Sequence, residues 1–270
     1  MSIGLIVRIF VLFVLLCQFG SAHAALEGPG SGLVGWWKFD EGSGATFYDS
    51  SGRGHTGTFV NSPTWVQGRV GPWALSFDGS SSFVNIPAST DFDFNTTGEF
   101  SISVWVYSKD PNTRFSAVSR SMNNLWHLWT LEQVNTGGGT ARFDEEYVTR
   151  LVSGESASRA RGSGLGYGAN AWYHVVGVKT SGASGVVKIY INGVKGTDSA
   201  IVPNPDPDLS GLGITIGGRR SITPDAVWNG YIDEVRVYNR ALSSAEIASL
   251  FAEYGNLAPN PPANLRIIQE

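Results

Sequence analysis

Apolar and polar residues alternate along this chain in short bursts. In "FSISVWVYS", Phe100, Ile102, Val104 and Val106 share one side of an extended segment, and Ser101, Ser103, Trp105 and Tyr107 share the other. That is the two-residue period of a β-strand. Both sides carry apolar bulk, which places this strand in the middle of a two-layer sandwich. "LVGWWKF", "WALSF", "FVNIP", "LWHLWTLEQV", "TARFDEEYVTRLV", "WYHVVGVKT", "VVKIYING", "GITIGG" and "YIDEVRVY" read as further strands. The 34 glycines fall between the bursts without a repeat, as turn residues do. The pattern predicts an all-β fold, an antiparallel two-sheet jelly-roll sandwich of about ten strands.

One segment switches period. Ser243, with Glu246 three residues on, forms a capping box in which each side chain covers an exposed amide of the other residue's turn. Ile247, Leu250 and Phe251 then repeat at helical spacing, so one short C-terminal helix is expected against the sandwich. After Gly255, Pro259, Pro261 and Pro262 mark a stiff linker over 256–270.

The N-terminus changes the picture of where the chain works. Arg8, an apolar run from Ile9 to Leu16 and the small-residue ending "SAHA" form a signal peptide over 1–24, cleaved after Ala24. The run is too short to span a bilayer, and no later segment reaches the roughly 20 apolar residues of a membrane helix. A secreted or cell-surface domain over 25–255 is therefore expected. Cys17, the single cysteine, leaves with the leader, so the domain has no disulfide and no thiolate metal site and depends on its core. Arg8 leaves as well, and 18 basic residues then face 23 acidic ones for a net charge of −5. No basic run appears, which argues against nucleic acid as a partner.

"GLVGWWKFDEGSG", "DSSGRGHTGTF", "ALSFDGSSSFVNIP", "FSISVWV", "AWYHVVGV", "VVKIYINGV" and "NGYIDEVRVYNRALSSAEIASLF" stand in the order of a LamG-like jelly-roll domain. From Gly32 to Tyr254 the chain resembles that branch of the concanavalin A-like lectin/glucanase superfamily. "PPANLRII" resembles the opening strand of a fibronectin type III module. The first resemblance implies a non-catalytic recognition module in a secreted or surface protein, binding a glycan or polysaccharide. The alternative is an adhesion or assembly domain that binds extracellular protein. A glucanase-type hydrolase is a third class. Its two carboxylates must flank the scissile bond, and although Asp144 and Glu146 share a strand face, they lack the family spacing, so no catalysis is expected.

Two sites are expected. The resemblance implies a structural calcium ion held by an Asp at the start of the last strand, which is Asp233, with Asp40, Asp49 and Asp78 as companions, since first and last strands of a jelly roll are neighbours. Calcium takes carboxylates and main-chain carbonyls together. The competing reading is that these acids accept amide hydrogen bonds of their own turns, Asp78 through its Asp-Gly pair. Glu234 alternates to the opposite face, solvated or paired with an arginine. For sugar, which stacks its C–H face on aromatics and hydrogen-bonds at its edges, the expected residues are Trp126 and Trp129 with Arg120, Tyr147 and Arg150. Here too the competing reading is that both tryptophans fill the core. Trp36, Trp105, Trp172 and His174 lie inside strand motifs and are expected to pack.

Overall fold

The computed structural model describes residues 31–94, 98–110, 113–121, 127–135, 141–148, 157–162, 165, 167–181, 185–200, 211–219 and 226–255. The expected leader, the linker and the fibronectin-like segment lie outside them. In chain order the first strands are β1 (Leu33–Trp37), β2 (Thr46–Phe47), β3 (Gly57–Val60), β4 (Thr64–Gln67), β5 (Trp73–Asp78) and β6 (Phe83–Ile86). The central ones are β7 (Phe100–Ser108), β8 (Phe115–Ser121), β9 (His127–Asn135), β10 (Ala141–Val148), β11 (Ala157–Arg161) and β12 (Trp172–Lys179). The last are β13 (Val186–Ile191), β14 (Val194–Lys195), β15 (Ser199–Ala200), β16 (Ile214–Ile216) and β17 (Asn229–Tyr238), followed by helix α1 (Ser244–Gly255).

These strands form two antiparallel sheets. The first runs β14-β13-β12-β7-β17-β5-β4, with β1 also paired to β17 and β15 to β13; the second runs β11-β10-β9-β8-β16-β6-β3-β2. The expected all-β jelly-roll sandwich with one helix is what forms, with more strands than the alternating bursts suggested. The additional strands are β2, β14 and β15, of two residues each and too short for a period to show, and β3, β4, β8 and β11, of four to seven residues.

The inward sides of the sheets meet in one apolar core that includes Trp37, Phe77, Ile102, Val104, Trp129, Leu131, Ile216, Ile232, Val235 and Val237. Burying each such side chain contributes about 1.5–3 kcal/mol. That core carries a domain with no cross-links.

The outward side of β7 has its own cover. Ser101 accepts from the Leu242 amide and donates to the Arg240 carbonyl, Trp105 stacks on Phe251, and Ser103 hydrogen-bonds His174 Nε2 at 2.8 Å. Helix α1 therefore lies on the outer face of the first sheet. Ile247 and Leu250 join Val176, Val178, Tyr190, Tyr238 and Leu242 in a second apolar cluster beneath it. The expected capping box is present: the Ser243 amide and hydroxyl both donate to Glu246, and the Glu246 amide donates back to Ser243 Oγ. Arg240 grips the same carboxylate with two bonds, and these together hold Glu246 at a pKa of about 2.

Two outcomes follow from this layer. Replacing Ser243 by Ala removes a cap and is expected to lower stability by ~1 kcal/mol, read as a lower urea midpoint at unchanged slope. His174 is fully buried, which pushes its pKa down to about 3, with Arg236 adding to the effect. The unfolded chain binds that proton near pH 6.5, at about the ordinary value, so stability is full above it and falls as pH drops toward 3. Calorimetry between pH 7 and pH 4.5 should show the melting temperature falling, and falling less steeply in His174→Gln.

Candidate functional site

Along one edge β17 pairs continuously with β7; along the other it pairs first with β5, at 229–232, and then with β1, at 235–238. Asp233 and Glu234 occupy the junction between those two partners. The chain leaves β1 at Trp37, opposite Val235, and reaches Asp40 three residues later. It enters β5 at Trp73, two residues before Leu75, which faces Ile232. Two loops thus converge on one point of the last strand.

A β-bulge sits at the same point. Three steps of β17, from Asp233 to Arg236, match two steps of β7, from Trp105 to Ser103, and the extra residue Glu234 has φ of 52°. The bulge resets the alternation, so Val235 returns to the core. Strict alternation puts Glu234 on the face opposite Asp233, solvated or paired with an arginine. Instead it is 3% exposed beneath the outer layer, accepting from Trp36 Nε1 and Arg236 at 2.8 Å each. Of the two expectations, the arginine pairing is the one that holds. Lys38 and Arg236 both lie over the Trp36 ring, at 4.1 and 4.5 Å from its centroid.

Asp233 is wholly buried. Its Oδ2 accepts the amides of Arg69 and Val70 at 2.8 and 2.9 Å, while its Oδ1 has no hydrogen-bond partner. Burial drives its carboxyl well above the usual carboxylate range; Glu234 and Asp40 add to the rise, and the two amides oppose it. Asp40 is also raised by burial, against the Trp73 amide, which bonds its carboxylate. Its Oδ1, too, is buried without a partner. A Cβ on Gly71 would lie 2.2 Å from that oxygen, so only glycine, at φ of 63°, fits there. Two carboxylates, each with one free oxygen, therefore face the same Arg69–Val70–Gly71 stretch.

Among the described residues, no three His, Cys, Asp or Glu side chains form a group able to hold a metal. A cation here would need the two aspartates and main-chain carbonyls together. That donor set suits calcium, a hard ion that takes oxygen ligands of mixed kind. Orphaned buried oxygens and a glycine cradle fit such an ion.

Asp49 and Asp78 are placed otherwise. Asp49 accepts the amides of Trp36, Ser51 and His55 and the Ser51 hydroxyl. Burial works against its charge, but those donors outweigh it and hold the carboxyl below the usual range. Asp78 accepts the amides of Ser80, Ser81 and Ser82 and two serine hydroxyls, which hold it far below despite burial. Asp78 spends its oxygens on its own turn, and Asp49 spends its oxygens on its own turn and on the Trp36 amide of β1.

The expected sugar residues divide similarly. Arg120, Trp129 and Tyr147 do stand side by side in register on β8, β9 and β10. Trp129, however, points inward, 1% exposed, with its ring 5.6 Å from Phe100. Arg120 is fully buried and binds the Phe92 carbonyl and Asp93. Neither presents a surface to a ligand, because Trp129 faces the core with Leu131 and Arg120 is its register partner on β8. Of Tyr147 only the backbone is described, and Trp126 and Arg150 lie outside the described residues. The register one step along runs Glu146, Thr130, Ser119, Thr215, Asn85, Thr58 and Thr46 across the second sheet. It is buried at Thr130, Ser119 and Thr215 and opens at Asn85, Thr58 and Thr46.

Two further aromatic side chains, which the sequence did not single out, are exposed. Among the described residues, Tyr48 and Trp73 are the exposed large aromatics, at 63% and 39%. Both are fastened to the turn that carries the chain from β1 to β2. The Tyr48 amide donates to Glu41 Oε1 at 2.9 Å, and the Trp73 indole packs so closely on Gly42 that a Cβ there would lie 2.4 Å from Nε1. Alternation puts Trp73 on the side of Leu75 and Phe77, but it opens its strand and lies past the core's edge. The Gly71-Pro72 pair before it was the available signal for an edge position.

A family model described as the concanavalin A-like lectin/glucanases superfamily, Laminin_G_3, matches residues 78–248. Among curated proteins, no sequence matches. Of solved structures, Domain 4 of AbnA, a GH43 extracellular arabinanase from Geobacillus stearothermophilus, in complex with arabinotriose, is 20% identical with a TM-score of 0.59; the match covers 81% of this chain and 97% of that one. The binding domain of Paraclostridial Mosquitocidal Protein 1 is 18% identical with a TM-score of 0.62, over 86% of this chain and 53% of that one. The binding domain of Botulinum Neurotoxin DC in complex with SialylT is 14% identical with a TM-score of 0.61, over 83% and 52%. At such identities the likeness establishes the fold. With its two-sheet sandwich and a model matching over more than half its length, the chain belongs to the Laminin_G_3 family of the concanavalin A-like lectin/glucanases superfamily.

Proposed function

We propose that this chain is an exported, non-catalytic module that binds carbohydrate, with a structural calcium ion between Asp233 and Asp40. One observation carries the sugar reading: Trp73 and Tyr48 are exposed and fastened to one turn, and Tyr48 lies two residues from Thr46, where a file of hydroxyl and amide side chains opens to solvent. Exposed rings give a pyranose or furanose a C–H stacking surface, and Thr46, Thr58 and Asn85 give its hydroxyls partners. The fold of an arabinanase domain holding arabinotriose, of which this chain covers 97%, supports the same reading. Asp233 and Asp40 would hold the calcium ion through their free oxygens, and the ion would supply charge compensation rather than chemistry.

A second reading has its own support. A botulinum neurotoxin DC binding domain in complex with rat synaptotagmin II is 15% identical, with a TM-score of 0.59 over 83% of this chain and 52% of that one. On that reading the same surface takes an extracellular protein.

A glycan array followed by titration calorimetry on residues 25–255 separates the two. Saturable binding to a glycan, weakened at least tenfold, or about 1.4 kcal/mol, in Trp73→Ala and in Tyr48→Ala, is expected. Silence on every glycan would reject the first reading in favour of the second. Calcium should also raise the melting temperature, by about 2.7 kcal/mol of stability at a hundred times its Kd. Chelation and Asp233→Asn should each abolish that rise, and an unchanged melting curve would remove the ion from the proposal.

A further inference from the structure

We propose that the outer side of the first sheet carries a second binding surface, for a saccharide that bears a carboxylate group. It is built by Tyr107, Trp172 and Tyr231 with Lys109, shares no residue with the surface at Trp73 and Tyr48, and does not rest on that surface binding sugar.

The row follows from register. Tyr107 on β7 faces Trp172 on β12 along one edge and Tyr231 on β17 along the other. Adjacent strands lie about 4.8 Å apart, so three large rings in one row meet. Tyr107 stacks on Tyr231 with centroids 4.9 Å apart, and Trp172 lies 5.7 Å from Tyr107, turned 62° to it, and 6.1 Å from Tyr231. Two residues along each strand, the next row is Asp233, Trp105 and His174, and Phe251 of α1 stacks on the last two. Beyond that cover Tyr107 and Trp172 are only half-buried, and Lys109 and Asn170 are exposed. Asn170 donates its amide to the Ser108 carbonyl and accepts from the Tyr107 hydroxyl.

The polar groups around these rings are donors. Lys109 Nζ stands 4.5 Å from the centre of the Tyr231 ring, and among the described residues no carboxylate pairs with it. The acid next to it in sequence, Asp110, accepts the Thr113 hydroxyl. Burial pushes the Lys109 ammonium down, with no acid to raise it. The Trp172 indole N–H and the Tyr231 hydroxyl bond to no described residue and are not buried, so they face solvent.

A surface that offers an ammonium, an indole N–H and a phenol hydroxyl, with no carboxylate, complements acceptors, and an anion above all. The rings supply the apolar side, because sugar C–H groups pack on aromatics. Three strands across, the row spans about 10 Å, room for two sugar units. Charge density narrows the class further. A polysulfate needs clustered Lys and Arg, and it would be repelled by a domain of net charge −5. One carboxylate needs one ammonium and one hydroxyl, which selects a uronate.

Titration calorimetry on residues 25–255 in chelator tests this, with hexagalacturonate, hexaglucuronate, the carboxyl-reduced form of each, and dextran sulfate. At least one hexauronate is expected to bind saturably, and its reduced form about tenfold more weakly. Lys109→Met and Trp172→Ala, checked for folding by circular dichroism, should each weaken the hexauronate about tenfold, and Trp73→Ala should leave it unchanged. Lys109 is exposed, so its variant tests the surface even where Trp172→Ala fails to fold. Silence on both hexauronates, equal affinity for the reduced forms, or tighter binding of dextran sulfate overturns the proposal. Weakening by Trp73→Ala with Lys109→Met unaffected also overturns it, by placing the uronate on the other surface. A dimer in sedimentation that Trp172→Ala dissociates, with no uronate bound, would make the row a contact between copies and overturn it likewise. Uronate binding that Trp73→Ala leaves intact, with no other glycan bound, upholds this surface and rejects the one at Trp73 and Tyr48.

Discussion

Strand β17 is hydrogen-bonded along both edges, and one residue too many is built into it. On the β7 side the pairing continues past the bulge; on the other side β5 ends and β1 begins where the bulge lies. A regular strand at that position would alternate through Asp233 and Glu234 and turn Val235 outward. The extra residue returns Val235 and Val237 to the core and leaves two carboxylates on the outer side. Each of those carboxylates must then find partners in a place shielded from water.

The partners found explain the layer around them. Glu234 is satisfied within the sheet by Trp36 and Arg236, and Arg236 reaches on to the Tyr254 hydroxyl in α1. Buried pairs of this kind contribute little net stability, but removing one partner leaves an uncompensated charge that costs about 3–5 kcal/mol. The pair therefore fixes how the last strand, the first strand and the helix sit together. Asp233 is only half satisfied, by amides of a loop far away in sequence. That asymmetry leaves one of two adjacent acids in a structural ion pair and the other with a buried oxygen to which no donor comes.

The aromatic side chains show how far a local pattern reaches. The expectation of a two-faced β7 was correct in detail, because both faces are set by alternation and each finds a cover, the core on one side and α1 on the other. The expectation for Trp129 had the neighbours right, since Arg120 and Tyr147 flank it in register. Trp129 itself takes the competing reading and fills the core, because on a strand with apolar residues on both sides the sequence does not say which side meets the other sheet. Trp73 shows the opposite case. It lies on the core side of its strand by period, yet is exposed because β5 begins beyond the edge of the sandwich.

What the sequence by itself determined is whatever depends on neighbours within a few residues: the strands of β7 and β12, the capping box at Ser243 and Glu246, the apolar stripe of Ile247, Leu250 and Phe251, and the Asp-Gly turn at Asp78. These are short-range because a two-residue or 3.6-residue period and a cap are complete within one element. What only the tertiary structure decided is which acids share a site and which aromatics are exposed. Asp40 and Asp233 are 193 positions apart and meet because β1 and β5 end on the same bulge, an irregularity that alternation cannot announce. Asp49 and Asp78 look the same in sequence, but Asp78 is consumed by its own turn and Asp49 by its own turn together with the Trp36 amide. The physical reason is that a free buried oxygen is defined by the donors that do not reach it, and those are set by packing between segments rather than by any one of them.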